Sequence, residues 1–146
     1  MPLVSILQEL KKAQQEHYAV PLFDTFDMQS TDAMFTAFLE KHAPGIIALY
    51  SSAMDRPNAK AFAAYIRERA KDARVPISLM LDHGSSFEHC IKAIAYGFTD
   101  VMYDGSRLTL EENIENTRAV VRAAHAAGVC VEAELGHVGS GSQYQS

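Results

Sequence analysis

The sequence predicts an α/β protein, a (β/α)8 TIM barrel of which this chain supplies the leading helix and roughly the first five strands. Apolar strand patterns alternate with helical patterns at roughly 25–30-residue intervals, which favours a parallel sheet with helical crossovers. Polar residues follow the ends of several strands, as is typical of barrels, whose sites draw on many strand ends. No GxGxxG or GxxxxGK[ST] motif occurs, which argues against a nucleotide-binding sheet.

The first half of the chain gives two strands and three helices. Residues 1–17 have an amphipathic pattern with Leu3, Leu7 and Leu10 on one stripe, which predicts a leading helix. Strands are predicted at residues 19–23 and 45–50 because both segments are short and apolar. Ser30 is the expected N-cap of a helix through residue 41, and apolar residues at helical spacing predict another over residues 57–74.

The second half continues this alternation with clearer boundary signals. Strands are predicted at residues 77–81, 100–103 and 129–135. Ser86 as a cap and Gly97 as a stop delimit a helix over residues 87–96. Thr109 and Glu112 have the spacing of a capping box and open a helix that Gly128 ends.

The strand count bears on the domain organisation. A barrel of this type closes with eight strands and typically needs ~250 residues, whereas the 146 residues here provide five strands. We therefore expect residues 1–146 to be the N-terminal part of a single barrel domain that continues beyond residue 146. A complete five-stranded doubly wound domain is the alternative.

Composition limits the classes of partner. The chain has a net charge of -5, with 48% hydrophobic and 21% charged residues, so we expect no nucleic-acid binding. No apolar run approaches the ~20 residues that cross a bilayer, so we expect no membrane association. The N-terminus lacks the cationic start, apolar run and cleavage site of a signal peptide, which predicts a cytoplasmic protein.

The strongest functional signal comes at the end of the third predicted strand. The segment 77–81 is rich in Ile, Leu and Met, which predicts a strand buried on both faces. Asp82, His83 and Gly84 follow it directly. An Asp offers a base or hard ligand, a His offers a metal ligand or proton carrier, and a Gly permits a close approach to the backbone. Catalytic zinc needs three protein ligands, so His83 requires partners.

Other strand ends supply further candidates. Glu132 and Glu134 are two residues apart on the fifth strand, so both side chains should point to one face, where they could hold a metal. Asp104 and Ser106 follow the fourth strand in the same way, although a turn or a polar strand end would have the same pattern. Ser51 follows the second strand and could bind a substrate hydroxyl or cap the next segment. His137, after the fifth strand, is a further candidate that could contact substrate or face water.

The segments 81–84, 104–106 and 134–136 occur in an order and spacing that resembles the class II, zinc-dependent ketose-bisphosphate aldolases. This family includes the fructose-bisphosphate and tagatose-bisphosphate aldolases, and the resemblance covers essentially the whole chain. It implies a (β/α)8 barrel and a Zn²⁺ cofactor. It also implies reversible cleavage of a ketose (bis)phosphate to dihydroxyacetone phosphate and an aldehyde through a metal-stabilised enediolate. The implied partners are a sugar phosphate substrate and copies of the same chain in a homodimer or homotetramer.

The resemblance also assigns roles to individual residues. Asp82 matches the catalytic acid/base and His83 matches one of three histidine ligands to zinc, the other two being expected beyond residue 146. Asp104 and Glu134 match carboxylates that serve the metal, and Ser51 matches a serine that contacts substrate. The phosphate-binding loops are likewise expected beyond residue 146.

Two segments depart from the family pattern. Asp24 stands where the family commonly has Asn, and an ionised Asp accepts hydrogen bonds without donating them. The segment 137–146 lacks the usual double glycine and acidic residues. These departures motivate one alternative, a metal-dependent epimerase or an aldolase of a non-bisphosphate sugar. A non-catalytic binding domain that merely has polar strand ends is a further alternative.

Overall fold

The computed structural model describes residues 3–136, so His137 and the predicted loop 137–146 lie outside the described residues. The helices are α1 (Leu7–Glu16), α2 (Met28–Lys41), α3 (Ala59–Ala70), α4 (Phe87–Tyr96) and α5 (Leu110–Ala126), with a 3-10 helix at Ser51–Asp55. The strands are β1 (Leu22–Asp24), β2 (Gly45–Tyr50), β3 (Ile77–Gly84), β4 (Asp100–Tyr103) and β5 (Cys130–Ala133). All five form one parallel sheet in the order β1-β2-β3-β4-β5, which confirms the predicted α/β fold.

Alternate residues of the strands face the helices and form the larger core. Ile47, Leu49, Leu79, Leu81 and Val101 are completely buried on this face. Their helical partners come from α2, α3, α4 and α5, and include Phe35, Ile66, Ala93 and Val120. Because burial of apolar side chains is the dominant favourable term in folding, this layer holds the sheet rigid beneath the strand ends.

The opposite face of the sheet carries a smaller apolar cluster. Ile46, Met80 and Met102 meet Ile6, which lies just before α1. The leading segment therefore packs across the inner face of the sheet, and Val4 N–H donates to the Ile77 carbonyl at the start of β3. No helix in residues 3–136 is long and apolar enough to cross a membrane.

A buried carboxylate anchors the leading segment. Asp100, at the start of β4, is only 3% exposed. It accepts hydrogen bonds from Ser5 Oγ at 2.8 Å, Ser78 Oγ at 2.6 Å and the Ile6 backbone N–H at 3.2 Å. A buried charge is tolerated only when it is well hydrogen-bonded, so this network explains how an Asp can occupy the inner face of the sheet.

Replacing Asp100 with Asn should destabilise the fold by about 1.5–3 kcal/mol, because the amide NH₂ would face donors that now meet a carboxylate. Urea unfolding followed by circular dichroism measures this change. Asp72→Asn is the matched control, since Asp72 is exposed at the end of α3 and should change stability by less than about 0.5 kcal/mol. Equal stability of the two variants would contradict an anchoring role.

Several predicted boundaries were wrong for local reasons. The N-cap of α2 is Asp27, and Ser30 instead occupies the third helical position, where its hydroxyl completes a reciprocal capping box. The leading helix begins only at Leu7, because the preceding residues run along the sheet. Strand β3 extends to Gly84 instead of ending at Leu81, and β5 ends at Ala133. Strands β2 and β4 and helix α4 have the predicted bounds.

Candidate functional site

A cleft of about 550 Å³ opens where β2, β3, β4 and β5 end at their carboxyl sides. Six of the predicted site residues line it together: Asp82, His83, Asp104, Ser106, Glu132 and Glu134. The described part of the chain thus brings residues from three separate strand ends to one place, as expected for the carboxyl ends of parallel strands.

A β-bulge explains how both Asp82 and His83 reach this cleft. In a regular strand, successive side chains point to opposite faces, so only one of the two residues would face the cleft. Leu81 pairs with Val101 and Gly84 with Tyr103, so three steps along β3 match two along β4. The extra residue turns the chain, and His83 adopts a left-handed conformation with φ of 46°. Bulges commonly re-aim side chains at functional sites.

The glycine after the bulge is required by the close approach of β4. A Cβ atom added to Gly84 would lie 2.5 Å from the Met102 carbonyl oxygen and 2.8 Å from Cδ2 of Leu81. A non-glycine residue with positive φ costs on the order of 1–3 kcal/mol, so the conformation of His83 must be held by its surroundings. Strain of this kind concentrates at functional sites.

Two carboxylates converge on one nitrogen of His83. The Nδ1–H of His83 donates to Oδ2 of Asp104 at 2.9 Å, and Oε2 of Glu134 lies 3.6 Å from the same Nδ1. Oδ1 of Asp104 accepts a hydrogen bond from the Ser106 backbone N–H at 3.0 Å. Asp104 is therefore held from both sides, which fixes the carboxylate relative to the imidazole.

The charges shift the protonation equilibria in the cleft. The hydrogen bond to Asp104 raises the pKa of His83, although burial opposes this shift. Burial alone would raise the pKa of Asp104, but hydrogen bonds from Ser106 and His83 outweigh it and lower that pKa to about 2. Asp104 is therefore ionised at neutral pH and able to bind a cation.

The pKa values of two further carboxyl groups in the cleft are raised. Burial raises the pKa of Asp82, with an added contribution from Asp104 and an opposing one from His83. Burial also raises the pKa of Glu132, and the negative charge of Asp82 adds to it. A raised pKa makes a carboxyl group a better proton acceptor once it is ionised, as a general base requires.

Asp24 and Ser51 lie outside the residues that line this cleft. Asp24 ends β1, and its pKa is raised by burial and by the charge of Asp82. Its Oδ1 atom is buried without a hydrogen-bond partner among the described residues. Ser51 begins the 3-10 helix after β2 and is 7% exposed, so its substrate-binding role stays a prediction.

The donor set of His83, Asp104 and Glu134 fits a metal ion. One ligand atom from each residue can be chosen so that all three lie within 4.8 Å of one another. One imidazole and two carboxylates suit several divalent ions and do not select zinc alone. Metal binding through Nδ1 would require loss of the proton that this nitrogen now donates.

Two neighbours of the cleft were missed by sequence reasoning. The Tyr50 ring lies against the imidazole of His83, with centroids 5.8 Å apart and an interplanar angle of 47°. Arg107 lines the cleft beside Ser106. The register of the sheet, which pairs Tyr50 with Asp82, brings the tyrosine here, and no local sequence signal encodes that register.

Comparison with known proteins places these features in a family. The sequence model described as fructose-bisphosphate aldolase class-II matches residues 4–145. A fructose-bisphosphate aldolase of Thermus caldophilus is 45% identical over 136 residues, which are 93% of this chain and 44% of that protein. A probable fructose-bisphosphate aldolase of Bacillus subtilis (strain 168) is 42% identical over 142 residues, 95% of this chain and 50% of that protein.

A solved structure has the same fold as this chain over about half of its own length. The crystal structure of the YdjI aldolase from Escherichia coli K12 superposes with a TM-score of 0.88 at 31% sequence identity, covering 92% of this chain and 52% of that one. The chain thus spans about half the length of the relatives it matches, as predicted for the leading helix and first five strands of a barrel. Since the family model covers nearly all of the sequence, the chain belongs to the class-II fructose-bisphosphate aldolase family.

Proposed function

We propose that the protein containing this chain is a zinc-dependent aldolase that reversibly cleaves a ketose (bis)phosphate to dihydroxyacetone phosphate and an aldehyde. The observation that carries the proposal is the bulge in β3, which turns both Asp82 and His83 into one cleft. It brings a carboxyl group and an imidazole side by side, which supports a pairing of proton transfer with metal binding. Membership of the aldolase family supports the reaction type.

The proposed roles follow from the chemistry of each side chain. Asp82 accepts the proton of the substrate hydroxyl on the carbon that becomes the aldehyde, and returns it in the condensation direction. His83, Asp104 and Glu134 are the residues of this chain that would hold the metal ion. A bound divalent cation would polarise the ketose carbonyl and stabilise the negative charge that develops there.

Substrate binding is assigned to two residues near the cleft. Asp24 has a buried oxygen with no partner among residues 3–136, so a substrate hydroxyl could donate to it. Ser51, at the start of the 3-10 helix, would donate its own hydroxyl to a substrate oxygen. Glu132, Ser106 and His137 remain further candidates, of which Glu132 and Ser106 line the cleft.

Metal removal tests this proposal directly. Dialysis of the purified protein against EDTA should abolish cleavage of fructose 1,6-bisphosphate, and added Zn²⁺ should restore it. Borohydride in the presence of substrate should leave activity intact, because the mechanism forms no Schiff base with a lysine. Two results would refute the zinc assignment: activity that survives at negligible metal content, or activity that is lost when borohydride is added with substrate.

The buried Asp24 oxygen, which has no hydrogen-bond partner within residues 3–136, supports a second candidate, a metal-dependent epimerase or aldolase acting on a sugar that is not a bisphosphate. An ionised Asp at this position would accept a hydrogen bond from a sugar hydroxyl and would repel a nearby phosphate group. Parallel assays with phosphorylated and non-phosphorylated ketoses distinguish the candidates. A strong preference for the non-phosphorylated ketose, or isomerisation without carbon–carbon cleavage, would favour the second.

The remaining assignments concern the whole protein. We propose that residues 1–146 are the N-terminal part of a single barrel domain that continues beyond residue 146, and that the protein is a cytoplasmic homodimer or homotetramer. A protein near twice 16.1 kDa with about one Zn²⁺ per chain would support the domain proposal. A protein of 16.1 kDa without zinc would instead favour a non-catalytic binding domain. Light scattering measures the oligomeric state.

A further inference from the structure

A buried side-chain amide, that of Asn113, lies behind the cleft and has no role in the proposed function. Asn113 belongs to α5 and is 7% exposed. Its Nδ2–H donates to the backbone carbonyl of Glu134 at 2.8 Å, and its Oδ1 accepts from the Thr117 hydroxyl at 3.1 Å. The amide is thus held in one orientation by a donor on its own helix.

The carbonyl that Asn113 holds lies beyond the paired part of β5. The ladder between β4 and β5 ends at Tyr103 and Ala133, so within residues 3–136 Glu134 lies outside the strand pairing. Its carboxylate nevertheless lies 3.6 Å from His83 Nδ1. The hydrogen bond from Asn113 holds the main chain at this residue.

The same amide also lies against the turn after Asp104. A Cβ atom added to Gly105 would overlap the Asn113 side chain, so the glycine allows the turn to rest directly on the amide. One side chain therefore contacts the backbone segments that present both carboxylates of the proposed metal site, Asp104 and Glu134.

We propose that Asn113 is a positioning residue, which fixes the backbone of Glu134 and thereby places the Glu134 carboxylate at the proposed metal site. The inference rests on the proposed metal site. Partners of this kind typically contribute 10–100-fold to metal affinity when they orient a ligand. Asn113 itself is not among the residues that line the cleft.

Competition with a chromogenic chelator measures the Zn²⁺ affinity of the purified protein. Asn113→Asp keeps the side-chain shape but replaces the donor with a carboxylate oxygen, and it should weaken Zn²⁺ binding about 10–100-fold. Asn116→Asp is the matched control, because Asn116 lies on the same helix and is exposed. The control should bind Zn²⁺ as the unmodified protein does.

A double-mutant cycle separates positioning from a purely structural role. If Asn113 acts through Glu134, Asn113→Asp should cause little further loss of Zn²⁺ affinity in a Glu134→Gln background. Thr117→Val, which only frees the amide to rotate, should give a smaller loss with the same dependence on Glu134, and it serves if Asn113→Asp does not fold.

The outcomes separate this inference from the proposed function. If the unmodified protein binds Zn²⁺ and Asn113→Asp and Thr117→Val bind it equally well, positioning by Asn113 is wrong and the metal site stands. An undiminished loss in the Glu134→Gln background would show a structural role only. If the unmodified protein binds no Zn²⁺, the proposed function fails and this inference with it.

Discussion

Replacing Asp82 with Asn should lower the turnover number for aldol cleavage by about 10²–10⁴-fold, the usual range for loss of a general acid–base group. Asn keeps the shape of the side chain but cannot accept the substrate proton. Because the amide is uncharged and nearly isosteric, the bulge of β3 and the placement of His83 should persist. Steady-state kinetics with fructose 1,6-bisphosphate, at a metal content verified for each sample, measure the effect.

Two comparisons make the Asp82 result interpretable. Asp55→Asn should leave turnover unchanged, because Asp55 lies on the 3-10 helix with His89 and Lys92 as its partners, away from the cleft. Zn²⁺ content of the Asp82 variant should equal that of the unmodified protein. Undiminished turnover in Asp82→Asn at full metal content would remove the acid–base assignment.

Replacing His83 with Ala should reduce Zn²⁺ affinity, because the variant loses a side chain that would bind the metal directly. The loss should exceed the roughly 10–100-fold that follows removal of a residue hydrogen-bonded to a metal ligand. Activity should fall in proportion to the metal lost. The imidazole is the single nitrogen donor of the three-residue cluster, and the remaining carboxylates alone suit harder ions than zinc. Equilibrium dialysis against buffered Zn²⁺ measures the affinity.

The chain offers a matched control for the backbone at His83. His42 also has a positive φ, 51°, at the end of α2, and it is exposed. His42→Ala therefore introduces the same side chain at the same kind of backbone conformation but outside the cleft. Metal affinity should fall for His83→Ala and not for His42→Ala, and equal affinities would exclude His83 as a ligand.

Local signals in the sequence predicted most elements of this fold. The apolar runs at β2 and β4 have short, clear boundaries, and the caps at Ser86 and Thr109 were correctly placed because their side chains bond to nearby backbone amides. Ser30 was misplaced as a cap because Asp27 supplies the same chemistry three residues earlier. In a reciprocal capping box both positions carry polar residues, so the pattern alone leaves the order open.

The sequence predicted that polar residues at several strand ends would lie together, and six of them line one cleft. The neighbours that were missed depend on long-range pairing. Asp82 and His83 stand out because two polar residues end an apolar strand, but the bulge that turns both inward arises only from the pairing of β3 with β4. Asn113 gave a weaker signal: it shares the buried stripe of α5 with Val120 and Ala124. A polar residue on such a stripe requires a partner, and only the fold identifies it as Glu134.

The anchoring of the leading segment has a consequence for the order of events during synthesis. Each strand pairs with its neighbour in sequence, so the sheet can grow as the chain emerges. The Ser5–Asp100 hydrogen bond instead joins residues separated by 95 positions. The hydrogen bonds from the first residues to Asp100 can therefore form only after β4 has left the ribosome, and contacts of such separation form slowly. A shorter nascent chain can hold its leading segment only through earlier contacts such as Val4 with Ile77, so the inner face of β2 and β3 is covered without the Asp100 anchor until β4 emerges.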